Sequence, residues 1–349
     1  MKILQVITLS ELGGAQSVVI NLANSLCKEH EVIVAAGEGD GQMWNMLDNK
    51  IIKHQCSHLQ RAISLVEDYK AFIELRKLYK QYKPDIVHLH SSKAGLLGRL
   101  AFPTKKIVYT VHGFDSIRLA HRKFLPIEKI MQRFGHSIVG VSKYDYENMV
   151  SEGITNNVSY VYNAITPPSL YEVVKPEVFS KYSKTVLAIA RVSPQKRHEM
   201  FIEISRRLPQ YGFIWIGNQE PIEDLPENCH FIGNMPNAGA YCQFADLFCL
   251  PSNYEGLPMV ILEAMSLGKP IVSSDVGGIK EIVINNHNGY VLENDIDKFV
   301  NAISNILSDE EKLQNMGLNS KAFFDRSLTI DKMVDGYMKH YREIEQTMS

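Results

Sequence analysis

Glu255 and Glu263 stand eight positions apart in a string that runs Pro251-Ser252-Asn253-Tyr254-Glu255-Gly256-Leu257-Pro258 and then turns apolar around Glu263-Ala264-Met265. A carboxylate accepts two hydrogen bonds from vicinal hydroxyls, so such a pair can hold two diol-bearing groups, a ribose and a second sugar. Pro258 suits the first turn of a helix. The amides about Gly256 and Leu257, with the dipole of that helix, then form a site for a phosphate. Upstream, Arg191 and Lys196 in Arg191-Val192-Ser193-Pro194-Gln195-Lys196 follow an apolar run and can reach a diphosphate. Two fixed cations at that place would stabilise a bound diphosphate.

Other residues carry weaker signals. Gly13-Gly14-Ala15-Gln16 lets backbone approach a phosphate or sugar closely. It is not the GxGxxG pattern, which argues against a dinucleotide cofactor. His112, in Val111-His112-Gly113-Phe114-Asp115, ends an apolar run, where a histidine serves either the fold or a ligand. His88 and His90 alternate on one strand, but no cysteine or carboxylate set completes a metal site with them. Asp295-Ile296-Asp297 matches a metal-binding DxD pattern, yet it opens a helical run, where acidic residues favour the dipole. No metal or other cofactor is expected.

The elements that position these residues are read from periodicity. Short Val- and Ile-rich runs alternate with stretches of helical period, the pattern of a parallel sheet wrapped by helices. One series has strands at Lys2–Ile7, Glu31–Ala35, Asp85–Leu89, Lys106–Val111 and Ser137–Val141. A second has Thr185–Ala190, Phe213–Ile216, His230–Ile232, Leu247–Leu250 and Pro270–Ser273. Each set of candidate residues falls just after a strand, at the carboxyl edge where doubly wound sheets bind ligands. The expected organisation is α/β, with an N-terminal Rossmann-like domain over 1–165 and a proline-containing linker over 166–184. A second Rossmann-like domain covers 185–328, and a C-terminal helix over 329–349 can pack on either domain, including back on the N-terminal one.

A chain of 349 residues with 45% hydrophobic and 22% charged residues suits two globular domains. A net charge of −2 gives no case for nucleic acid. Met1–Thr8 is an alternating apolar run without a basic leader, and no apolar stretch approaches the ~18 residues of a membrane span, so a cytoplasmic chain is expected. The five cysteines lack a CxxC pair and read as reduced core thiols. Locally, Lys93, Arg99, Lys105, Lys106, Arg118, Arg122, Lys123, Lys129 and Arg133 face only Asp115 and Glu128. Over Arg122–Arg133, Phe124, Ile127, Ile130, Met131 and neighbouring Phe134 recur at helical spacing among the cations. Such a basic amphipathic helix either packs into its domain or rests on anionic lipid.

The string PSNYEGLPMVILEAMSLGKPIVSSDVGG, with its two glutamates, resembles the retaining glycosyltransferases of family 4. That resemblance implies the GT-B fold, two doubly wound Rossmann-like domains facing across a cleft. It implies transfer of a hexose or N-acetylhexosamine from a nucleotide diphosphate sugar, with UDP the preferred nucleotide. Arg191 and Lys196 would neutralise the leaving diphosphate, Glu263 hold the ribose, and Glu255 hold the donor sugar. Gly13, Gly14, Gly217, Gly256 and Leu257 would line the donor site, with His112 hydrogen-bonding the donor sugar. Ser91-Ser92-Lys93-Ala94-Gly95 is similar to bacterial surface-polysaccharide members, whose acceptor would be a saccharide on a polyprenyl diphosphate. Lys93, Arg118, Arg122, Lys123, Lys129 and Arg133 would face that acceptor or the inner face of the cell membrane. Gly277-Gly278-Ile279-Lys280-Glu281 completes the pattern, although many relatives carry proline at the place of Lys280. The competing readings are a nucleotide-sugar epimerase of similar fold, a non-catalytic nucleotide-sugar-binding protein and a nicotinamide-dependent dehydrogenase.

Overall fold

Seven parallel strands form the first sheet: β1 (Lys2–Ile7), β2 (Glu31–Ala36), β3 (Ile52–Gln55), β4 (Ile86–His90), β5 (Ile107–Val111), β6 (Ser137–Gly140) and β7 (Val158–Tyr160). Their order is β3-β2-β1-β4-β5-β6-β7, with β1 pairing in register Ile3 to Ile86 and Val6 to Leu89. The computed structural model describes residues 1–171 and 173–348. Six strands form the second sheet: β8 (Thr185–Ile189), β9 (Gly212–Ile216), β10 (Cys229–Phe231), β11 (Leu247–Leu250), β12 (Ile271–Ser274) and β13 (Gly289–Leu292). Here the order is β10-β9-β8-β11-β12-β13. The chain divides into one unit of Met1–Ile165 with the segment from Ile330 onward, and another of Thr166–Thr329.

Central strands of both sheets are buried along their length, as parallel strands covered by helices on both faces must be. In the first unit, Leu4, Val6, Val87, Leu89 and Tyr109 share a core with Leu75 and Leu78 of the helix Leu65–Tyr82. The C-terminal helix Ile330–Met348 belongs to this unit through buried polar contacts. His88 Nδ1 lies 2.6 Å from Tyr341 Oη, His88 Nε2 lies 2.7 Å from Thr110 Oγ1, and Thr110 Oγ1 donates to Tyr337 Oη at 3.1 Å. In the second unit, fully buried Trp215 donates from Nε1 to the Ala190 carbonyl at 2.7 Å and stacks on Phe231. Within the expected linker, Phe179 is buried with its ring 5.9 Å from that of Phe244, so this stretch packs on the second unit. All five cysteines are buried and free. Among the described residues no helix is long and apolar enough to cross a membrane.

The basic stretch differs from its expected form. It is a 3-10 turn over Arg122–Phe124 followed by a helix over Leu125–Met131 only. Leu125, Glu128 and Met131 face inward, while Ile127, Ile130 and Phe134 are exposed. The inward face is set by charge: Arg99, fully buried, donates from Nη2 to Glu128 Oε2 at 2.6 Å and from Nε to the Gly95 carbonyl at 2.9 Å. Its guanidinium also lies 4.4 Å from the Tyr109 ring centroid. A buried guanidinium without a partner would be strongly destabilising, so Glu128 turns inward and rotates its apolar neighbours to the surface.

Candidate active site

The order of each sheet reverses at one place, between β8 and β11 in the second unit and between β1 and β4 in the first. Loops leaving neighbouring strands there diverge to opposite faces and leave a crevice at the carboxyl edge. In the second unit those loops carry Arg191–Lys196 and Pro251–Pro258. Hydrogen bonds to backbone carbonyls lace them together: the Asn253 backbone amide donates to the Gln195 carbonyl at 2.8 Å, and the Gln195 side chain donates from Nε2 to the Tyr254 carbonyl at 2.9 Å. Asn253 Nδ2 donates to the Pro194 carbonyl at 2.8 Å, and Arg197 Nη1 donates to Asn253 Oδ1 at 3.0 Å.

Within that lacing sits Glu255, only 8% exposed. Lys196 Nζ reaches its Oε1 at 2.5 Å and Ser252 Oγ donates to the same oxygen at 2.7 Å. Oε2 has no protein partner among the described residues, so one oxygen is fixed and the other is left for a ligand. The Lys196 ammonium carries three donors and can serve a phosphate while it holds Glu255. Arg191 is exposed just past the end of β8.

Glu263 lies in the helix Met259–Ser266. Pro258, expected in the first helical turn, instead takes the N-cap position with extended backbone, and Met259 begins the helix. The Glu263 carboxylate is partly buried and has no hydrogen-bond or ion-pair partner among the described residues. With no cation to offset it, burial pushes its pKa up to about 7. Gly239 makes room for it, since a Cβ there would lie 2.6 Å from Glu263 Cδ. The sequence reading did not single out Gly239, because a lone glycine far along the chain gives no signal until the fold sets it against that side chain. Gly277, at φ +60°, backs the other glutamate: a Cβ would fall 2.4 Å from the Glu255 carbonyl oxygen, and the adjacent Gly278 amide donates to the Gly256 carbonyl at 2.8 Å. Gly217, at φ +116°, presses against Ala190, the residue before Arg191.

In the first unit, Gly13 is the N-cap of the helix Gly14–Leu26 and follows β1. Thr8 Oγ1 lies 2.6 Å from Ser91 Oγ, joining the two loops at this switch point. His112 follows β5, half-buried, with its Nε2 3.0 Å from His90 Nδ1. Burial lowers the His112 pKa to about 4. The six cations expected to face acceptor or membrane divide. Lys93 is held by Asp68 at 2.6 Å and by the Ala62 carbonyl, and Arg118 by Asp115 at 2.8 Å and Tyr144 Oη at 2.9 Å. Arg122 pairs with Glu152 at 2.9 Å, with Lys129 3.8 Å from the same carboxylate. Lys123 and Arg133 are exposed and make no ion pair among the described residues. Asp295 accepts from the Lys298 amide at 3.0 Å as a helix cap and Asp297 pairs with Arg207 at 2.6 Å, so the DxD string serves the fold.

The family model for glycosyltransferase family 4 matches residues 12–167, and the model for glycosyl transferases group 1 matches residues 172–323. The chain belongs to this class of glycosyltransferases, with the GT-B fold. It is 28% identical, across 96% of its length and 95% of the other's, to the UDP-Gal:alpha-D-GlcNAc-diphosphoundecaprenol alpha-1,3-galactosyltransferase of Escherichia coli. It is 27% identical, across 97% of both chains, to the Escherichia coli O-antigen biosynthesis glycosyltransferase WbnH. Among solved structures, Anabaena HepE in complex with UDP and glucose superimposes with a TM-score of 0.81 at 20% identity, covering 97% of this chain and 98% of that one.

The raised pKa of Glu263 carries a pH signature. The folded protein binds this proton more tightly than the unfolded chain, so its stability falls as pH rises from the ordinary 4.5 toward about 7. Glu263→Gln removes that proton linkage. Melting temperatures of the two proteins at pH 5 and pH 8 should diverge in favour of the variant at the higher pH. A difference independent of pH would contradict the shift.

Proposed function

We propose that the chain moves a hexose or N-acetylhexosamine from a UDP-sugar to a lipid-linked saccharide, with retention at the anomeric carbon, in bacterial O-antigen, capsule or exopolysaccharide assembly. The observation that carries this reading is the Lys196–Glu255–Ser252 contact at the β8/β11 switch point, with the unpartnered Glu263 carboxylate in the helix that follows the same loop. The named activities of the Escherichia coli relatives support a UDP donor, an undecaprenyl diphosphate acceptor and a place in O-antigen synthesis.

In this reading the donor diphosphate meets Arg191, Lys196 and the amides about Gly256 and Leu257, while Glu263 accepts hydrogen bonds from the ribose hydroxyls. Glu255 accepts from the donor sugar through Oε2, and the role that the family resemblance gives His112 is a hydrogen bond to the donor sugar. The sugar–phosphate bond breaks toward the cations, which take up the developing charge. The acceptor hydroxyl attacks from the face the diphosphate leaves, and its proton passes to the departing phosphate oxygen. Glu255 orients the sugar and is not assigned as a covalent nucleophile. Because side-chain cations neutralise the leaving group, the reaction needs no metal. Of the described residues, His54, Cys56 and Glu74 bring ligand atoms within 4.8 Å of one another, but Glu74 already accepts from the Ser57 and His58 amides at 2.8 and 3.2 Å.

We also propose peripheral attachment to the inner face of the cell membrane through Leu125–Met131 and its flanks. Lys123, Lys129 and Arg133 are exposed there beside Ile127, Ile130 and Phe134, so apolar side chains and cations share one surface. Each cation near an anionic surface contributes about 1 kcal/mol.

Incubated with a UDP-sugar panel and an undecaprenyl diphosphate-linked saccharide, the enzyme should form a product whose new linkage keeps the donor's anomeric configuration by NMR, at a rate unaffected by EDTA. Inversion would remove the retaining mechanism, loss of turnover in EDTA the metal-free one, and conversion of donor without acceptor would identify an epimerase. In flotation with anionic vesicles, the chain should rise with the lipid at low salt, and Lys129→Glu combined with Arg133→Glu should weaken this. No binding at low salt rules out this surface as the anchor.

A further inference from the structure

His112 does not stand alone. His88, His90 and His112 form a column, with ring centroids 4.0 Å apart between the first two and 5.3 Å between the last two. His90 is completely buried, its Nδ1 lies 3.0 Å from His112 Nε2, and its own Nε2 has no hydrogen-bond partner. A single proton lies between the two rings, and two arrangements can place it. If His112 donates from Nε2, His90 must carry its proton on Nε2 and bury an N–H with no acceptor. If His90 donates from Nδ1, its Nε2 is a bare lone pair. Orphaned buried N–H groups are the rarer of the two in folded proteins, which selects the second arrangement.

We propose that His90 is a positioning residue that holds His112 in the tautomer protonated at Nδ1. His112 Nε2 is then occupied as an acceptor, and Nδ1, which has no partner among the described residues, presents a hydrogen-bond donor. Resting on the reading that His112 meets the donor sugar, this makes His112 a donor to a sugar oxygen and not an acceptor from a sugar hydroxyl. Burial keeps both rings neutral, His112 with its pKa lowered to about 4 and His90 well below the usual value. His88 cannot take over the role, because Tyr341 Oη and Thr110 Oγ1 occupy its two nitrogens at 2.6 and 2.7 Å. Instead it anchors the column to the C-terminal helix.

Imidazole nitrogen NMR of the ligand-free chain, with the His112 signals assigned by their loss in His112→Gln, reads the tautomer directly. His112 should show a protonated Nδ1 and an unprotonated Nε2. His90→Leu should release this preference, and His90→Asn, whose side-chain amide places a donor near the former Nδ1, should restore it. A wild-type His112 protonated at Nε2, or a tautomer unmoved by His90→Leu, overturns the proposal, and the wild-type spectrum decides even if the leucine variant does not fold. In turnover assays His90→Leu should lower kcat about tenfold with the acceptor KM unchanged, and His90→Asn should recover it. An unchanged kcat beside a changed tautomer would instead refute the contact between His112 and the sugar.

Discussion

A carboxylate as enclosed as Glu255 persists only with charge and hydrogen-bond partners, and Lys196 and Ser252 supply them on a single oxygen. That requirement organises the second unit. Lys196 comes from the loop after β8, and Ser252 and Glu255 from the loop after β11, so the ion pair forms only where these two strands are neighbours. The hydrogen bonds from the Asn253 amide to the Gln195 carbonyl and from the Gln195 side chain to the Tyr254 carbonyl hold the loops in register. Gly277 lets a third loop close over Glu255 with no side chain in the way. A lysine that must offset a buried glutamate is thereby fixed at the carboxyl edge, with donors to spare for a phosphate.

The first unit meets an equivalent need by a different device. Its column of histidines lies on β4 and just past β5, with every ring kept neutral by burial. The last segment of the chain returns to this unit, and its Tyr337 and Tyr341 complete the polar contacts of Thr110 and His88. The C-terminal helix therefore reaches the strand that carries His90, two residues from the one it bonds. Rigid support of this kind converts a lone histidine at a strand end into a group with one defined hydrogen-bonding role.

Central strands were legible in the sequence because burial on both faces favours short apolar runs, as in residues 186–189 of β8 and Leu247–Leu250 of β11. Strands β3, β7 and β13, all at sheet edges, were not, since three of the four residues of Ile52–Gln55 are polar and Val158–Tyr160 is three residues long. The glutamates and the Arg191–Lys196 string were visible by type and position. Their bonding was not, because Lys196 and Glu255 are 59 residues apart. Which face of the basic helix turns inward was not legible, because Glu128 looks like a surface charge until Arg99, 29 residues upstream, is placed beneath it. Lys93 read as an open cation because its partner Asp68 appears only in the fold, and Asp115 was visible beside Arg118 while the bond between them was not.

The central claim is that the loops after β8 and β11 bind a nucleoside diphosphate. Thermal unfolding of the chain with UDP, set beside GDP and ADP, tests it most directly, because a ligand of the native state raises stability by mass action. UDP should raise the melting temperature, and the rise should be lost in Lys196→Ala and much reduced in Glu263→Ala. No stabilisation by any of the three nucleotides, or an equal rise in both variants, would contradict the donor site.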